Sequence, residues 1–189
     1  IGHLIDEAIL ANLNSSFSEM LYSATSHPSM LIYLDNIWSS GEDSVETREQ
    51  RRNGRQAGLN DNLGRELLEL HSVSPAAKYS ETDIRNAANV LAGWGTELEK
   101  PLNEMRGLAN TTDHWDVYKR TWAQPGVKRV MGKTINQGKG GLRELTDFLA
   151  MHEHTISHLS IKLAQHFVSD NPSQSDVSYI ENAWRKGNG

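Results

Sequence analysis

The sequence predicts an all-α fold, a multi-helix domain of roughly seven to nine helices over residues 1–189 with one small β-hairpin near 128–136. Three observations carry that expectation. Apolar side chains recur at three- and four-residue spacing through most of the chain. Helix-start signatures of the Ser-x-x-acid type stand ahead of two of these stripes. Only the stretch Val130–Ile135 reads as a pair of short strands.

In order along the chain, Leu4, Ile5, Ala8, Ile9 and Leu13 form the first stripe, interrupted at Asn14-Ser15-Ser16. Ser16 with Glu19 starts a second helix through Phe17, Met20, Leu21 and Ala24. His27-Pro28 stops it and opens a short apolar helix from Met30 to Leu34, because proline in a first turn lacks only an amide that would be unpaired there. Residues 39–58 hold Gly41, Gly54, Gly58 and many charged side chains with almost nothing apolar, which reads as a long loop. Asn60–Val73 is the clearest helix, with Leu63, Leu67 and Leu70 on one face and Arg65 spaced to pair with Glu69. Ser80 and Asp83 start the next one, through Ile84, Ala87, Ala88 and Leu91, with Gly93 placed to end it. Thr112–Trp122 reads as helical, with Trp115, Tyr118 and Trp122 in helical phase. The Gly-Lys-Gly-Gly string at 138–141 lacks phosphate-loop spacing. The final helices are expected at Leu142–Met151, at Thr155–Val168 with Ile156, Leu159, Leu163 and Phe167 in one apolar stripe, and at Ser175–Arg185, with Trp184 sealing the last onto the core.

Composition narrows the function classes. The net charge of −5, from 19 basic and 24 acidic residues dispersed along the chain, gives no field suited to phosphate backbones, so no nucleic-acid partner is expected. The densest basic cluster, Arg48, Arg51, Arg52 and Arg55, is diluted by Glu46 and Glu49 and reads as a solvated loop. With no cysteine, disulfides, zinc–thiolate sites and thiol nucleophiles are excluded. The longest apolar run, Met30–Leu34, falls far short of the ~20 residues of a membrane-spanning helix. The chain opens at Ile1, which reads as a fragment of a longer protein.

Several residues are candidates for chemistry, each with a bland alternative. Asn62, Glu66 and Glu69 share one helix face and could present two carboxylates and an amide to a cleft, Glu66 or Glu69 acting as acid or base and Arg65 orienting substrate. Equally, Arg65 could pair with Glu69 while Glu66 and Asn62 tie neighbouring loops. His71 could join that site or simply cap the helix end. Asn60, Asp35, Asn36 and Trp94 are candidate binding residues, with turn, cap or core roles as the alternative. His154 and His158 stand four apart, a chelating spacing, but His152 does not start an HExxH string and no third ligand is evident. No cofactor is expected, and no G-x-S-x-G occurs.

Several strings resemble one family. Asn60-Asp61-Asn62-Leu63-Gly64-Arg65-Glu66-Leu67-Leu68-Glu69-Leu70-His71 is similar to the N-E-N-x-A-R-E-L-L-E-L-H-T signature of the domain-of-unknown-function 1800 family. His27–Asn36 resembles its H-P-A-M-L-x-Y-L-D-N string. Tyr79–Ile84 with Leu91–Trp94, Gln124-Pro125-Gly126 with Lys128 and Gly132, and Lys162–Pro172 resemble further elements in the family's order. Departures are Ala123, where members commonly have His, the segment 95–122, and an earlier portion with an F-W-x-N-H-F string that has no counterpart here. The resemblance implies a bacterial protein with no assigned reaction, and a periplasmic or extracellular setting. The expected function is a non-catalytic binding or assembly module of the bacterial envelope with an unknown protein or small-molecule partner, or alternatively a hydrolase or lyase using a carboxylate of the Asn60–His71 helix.

Overall fold

The computed structural model describes residues 2–96, 117–187 and 189. A short helix α1 (Gly2–Leu4) runs on through a π-helical stretch, Ile5–Ile9, and a 3-10 turn, Leu10–Asn12. There follow α2 (Phe17–Ser26), α3 (Pro28–Tyr33), α4 (Val45–Arg52), α5 (Asn62–Glu69) and α6 (Glu81–Leu91). Strands β1 (Trp94–Gly95) and β2 (Val117–Tyr118) pair antiparallel, as do β3 (Lys128–Val130) and β4 (Lys133–Ile135). Helices α7 (Gly140–Ala150), α8 (Glu153–Phe167) and α9 (Gln174–Gly187) complete the chain. The fold is mostly all-α, as the periodicity predicts, and the small hairpin lies at 128–135.

Local chemistry explains most of the boundaries. Ser16 Oγ accepts the Glu19 amide at 3.3 Å and starts α2. The Glu19 carboxylate does not complete the box but receives the Arg143 guanidinium of α7 at 2.5 and 3.0 Å. His27 caps α3 through Nδ1, which accepts the Ser29 amide at 3.1 Å, with Pro28 in the first turn. Ser80 and Asp83 form a complete capping box at α6. Asp83 Oδ1 also accepts the Met131 amide at 2.6 Å, fastening the hairpin to the helix start. Between β3 and β4, Met131 (φ +47°) and Gly132 (φ +84°) both adopt left-handed backbone, the requirement of a two-residue type I′ turn.

The core sits between α5, α6, α7 and the hairpin. Leu63, Leu67, Leu68, Ile84, Leu91, Ile135, Leu142, Leu145, Leu149 and Trp94 are completely or almost completely buried. Each such aliphatic side chain contributes roughly 1.5–3 kcal/mol through removal from water. Gly64 permits the close approach of α5 to α6: a Cβ there would lie 2.7 Å from the Ala88 nitrogen. Trp184 donates its indole N–H to the Ala150 carbonyl at 3.1 Å and packs on Phe17, holding α9 in place as expected.

Four expectations are corrected. The expected loop 39–58 contains α4, an eight-residue helix whose single fully buried side chain is Thr47. Its hydroxyl joins those of Ser40 and Ser44 at 2.7 and 3.1 Å, so a polar net, not an apolar stripe, anchors the helix. The expected Asn60–Val73 helix is shorter, Asn62–Glu69, and Leu70 is 55% exposed, because the chain turns away where the Leu70 and His71 amides both bond the Glu66 carbonyl. Of the expected Thr112–Trp122 helix, Tyr118 belongs to β2 and Trp122 to a turn, while Trp115 lies outside the described residues. On α8, Ile156 is buried but Leu163 and Phe167 face outward.

Candidate functional site

The Asn60–His71 segment places its polar residues in distinct environments. Asn60 joins loops: Oδ1 accepts the Asn62 amide at 2.9 Å, the Asn60 amide donates to Ser39 Oγ at 3.0 Å, and Nδ2 reaches the Leu34 and Asp35 carbonyls at 3.4 Å. Asn62 is exposed. Arg65 does not pair with Glu69. Its guanidinium takes Glu81 at 2.9 Å and Asp61 at 3.3 Å, and both partners raise its basicity while Glu81 is held below the usual carboxylate range. The helical spacing allowed either acid four residues away, and Glu81 at the start of α6 decided between them. Glu81 is exposed and Arg65 and Asp61 are partly so, and water screens both pairs so that they add little to stability.

Glu66 and His71 do come together. They line a pocket of about 400 Å³ with Leu4, Ser29, Met30, Tyr33, Leu34 and Leu70. Burial pushes the His71 imidazole below its ordinary pKa, the Glu66 carboxylate pulls it back up, and Lys162 pushes it down. Glu69 does not line this pocket; its charge acts on Tyr79, whose hydroxyl is raised chiefly by burial.

Asp35 and Asn36 follow α3. Asp35 is in left-handed backbone (φ +56°) at the entry to a 3-10 turn, Asn36–Trp38. Asn36 is buried and donates from Nδ2 to the Leu91 carbonyl at 3.1 Å and the Trp94 carbonyl at 2.9 Å, tying the end of α6 and β1 to α3. Trp94 is 1% exposed and lies edge-on to Tyr22 and Tyr118, which gives it a core position. His154 and His158 lie on α8, where His154 stacks on His152. Burial and Lys162 depress the His158 imidazole, and its Nε2 is buried without a partner. Among the described residues, no group of three or more histidines and carboxylates gathers to hold a metal ion.

A second, larger concavity was not foreseen. A cleft of about 900 Å³ opens between the start of α4, Tyr118 with Arg120, the 123–125 loop and the 137–139 turn. Two segments far apart in sequence build it. The Gly41 amide donates to the Trp122 carbonyl at 2.8 Å and the Glu46 amide to Thr121 at 2.9 Å. Gly41 is required there, since a Cβ would lie 2.5 Å from Gln124 Cα. Gln124 exchanges two side-chain hydrogen bonds with Asp43, both at 3.0 Å. Beneath the loop, Lys128 is only 6% exposed and donates to the Gln124 carbonyl at 2.5 Å and the Gly126 carbonyl at 2.7 Å. Burial brings its amine down to about 8. Among the described residues, Arg48, Arg120 and Lys139 bring cationic side chains to this cleft. The one sequence signal for it was Gln124-Pro125-Gly126 with Lys128; the arginines, 72 positions apart (120 − 48), share no local pattern.

Among the described residues no helix is long and apolar enough to cross a membrane. No curated protein and no solved structure matches the chain. A family model described as Protein of unknown function (DUF1800) matches residues 2–189, essentially the whole chain. The signature helix, the buried Asn36 and the lysine-pinned Pro-Gly loop thus lie within one continuous match, and the chain belongs to the DUF1800 family.

Proposed function

We propose that this protein is a non-catalytic binding module whose ligand enters the 900 Å³ cleft between α4 and the 123–125 loop. The observation that carries the reading is that the carboxylate and the serine hydroxyl lining this cleft, on Asp43 and Ser44, are already engaged in building it. The Ser44 hydroxyl accepts the Thr47 amide and bonds the Thr47 hydroxyl, and Asp43 and Gln124 hold each other. A cleft of this size with polar and apolar walls suits a small molecule or the end of a larger partner. The export tendency that accompanies the family resemblance supports a setting in the bacterial envelope.

A second reading rests on the smaller pocket. Glu66 and His71 face one apolar space, and burial keeps the imidazole neutral near pH 7. That pairing would suit acid–base work in a hydrolase or lyase. A crystallographic fragment screen of neutral, anionic and cationic compounds tests both. Fragments ordered in the larger cleft are expected. Fragments confined to the Glu66–His71 pocket would shift the weight to the second reading, and an empty larger cleft across the screen would remove the first.

A further inference from the structure

We infer that the ligand taken by the larger cleft is a small molecule bearing an oxyanion, with the Arg48 and Arg120 guanidinium groups as its primary contacts; this rests on the binding reading above. Arg48 projects from α4 and Arg120 from the turn after β2, so two separate elements deliver guanidinium groups to one concave surface. Lys139, in the turn before α7, also lines this space, its ammonium 6.0 Å from the centre of the Trp94 ring. Among the described lining residues one is acidic, Asp43, whose carboxylate accepts from Gln124.

Arg65, Arg85, Arg143 and Arg185 each form an ion pair with a carboxylate. Among the described residues Arg48, Arg51, Arg52, Arg55, Arg120 and Arg129 form none, and of these Arg48 and Arg120 line the cleft, although the chain carries an excess of acid, 24 acidic against 19 basic residues. A planar guanidinium presents its donors in a fork that matches phosphate, sulfate or carboxylate oxygens, and two such forks lining one cleft favour such groups over neutral ones. Tyr118 and Pro125 give the cleft apolar wall against which the remainder of the ligand can lie. The sparse, local character of this charge, within an acidic chain, favours a small anion over a nucleic-acid backbone, which needs an extended basic track.

Calorimetric titration of the full chain with inorganic pyrophosphate at low ionic strength tests the inference. One saturable site is expected, weakened about tenfold or more by Arg48→Gln and by Arg120→Gln, and unchanged by Lys186→Gln on the remote helix α9. Thermal melts of each variant report whether the fold persists. Absence of saturable binding, or equal binding by all variants, would overturn the oxyanion assignment. Should neutral fragments occupy the cleft while pyrophosphate fails, the binding module stands and only the ligand class falls; if nothing enters the cleft, both fall together.

Discussion

Helices α4 and α5 have the same length, eight residues, and opposite anchoring. α5 buries Leu63, Gly64, Leu67 and Leu68 against α6 and the core. α4 buries only Thr47, and three hydroxyls on Ser40, Ser44 and Thr47 do the holding. One helix is fixed by the removal of apolar surface from water, which is non-directional and large. The other is fixed by directional hydrogen bonds whose net worth is small individually but whose loss leaves a buried group unpaired. The candidate cleft is built on the second kind and the Glu66–His71 pocket on the first, so the two sites should respond differently to the same perturbations.

Truncation of a buried α5 leucine is the severest way to test that contrast. Leu67→Ala should destabilise the protein by about 2–5 kcal/mol, read as a shifted denaturation midpoint, because Leu67 is fully buried and its neighbours are closely packed. A loss below ~1 kcal/mol would mean that α5 is not the anchored element described.

On the α4 side the expected loss is smaller and of another origin. Thr47→Val keeps shape but removes the hydroxyl shared by Ser40 and Ser44, and should cost about 1–3 kcal/mol. Hydrogen exchange should show the loss concentrated in α4 and the 121–124 segment bonded to it, with the core amides of α5 less affected. A uniform loss across the chain would erase the distinction between the two helices.

The least of the three effects is the response to pH. Burial depresses His71 in the folded protein, so as pH falls below the ordinary imidazole value near 6.5 the unfolded chain binds the proton first. Stability is therefore complete above that value and declines as pH falls from it towards the depressed folded value. His152 and His158 are depressed as well, mainly by burial, and contribute with the same sign. Urea midpoints at neutral and mildly acidic pH should show this decline, and His71→Gln should lessen it. The hydroxyls that anchor α4 do not titrate, so an equal decline in Thr47→Val is expected and a markedly altered one would contradict the account.

The same contrast explains what was readable in advance. Periodicity reports apolar stripes, so α5, α6 and α7 were legible through leucines that the structure buries, and the Ser80–Asp83 box and the hairpin turn were legible because capping and left-handed backbone have local signatures. α4 has no apolar stripe; its signals were Ser44 three residues before Thr47, Glu46 in the first turn and Arg51 and Arg52 in the last, arranged along the helix dipole within a stretch of chain that otherwise looks like solvent. For the site, Glu66 and His71 were legible as neighbours on one segment, whereas the partner of Arg65 was not, because Glu81 is brought to it by the packing of α6 on α5. The larger cleft depends on segments 41–46 and 120–124 meeting through backbone bonds, which side-chain patterning does not encode.

Asp83 gives one carboxylate to two structures at once, closing the first turn of α6 and receiving the amide of the hairpin's turn residue Met131. A slip of β3 past β4 by one residue would move a different amide into that place and turn every strand side chain to the opposite face, Val130 and Ile135 leaving the interior together. The helix start therefore acts as a template for strand alignment: the short ribbon, too small to choose its own pairing, inherits it from a neighbour fixed by capping.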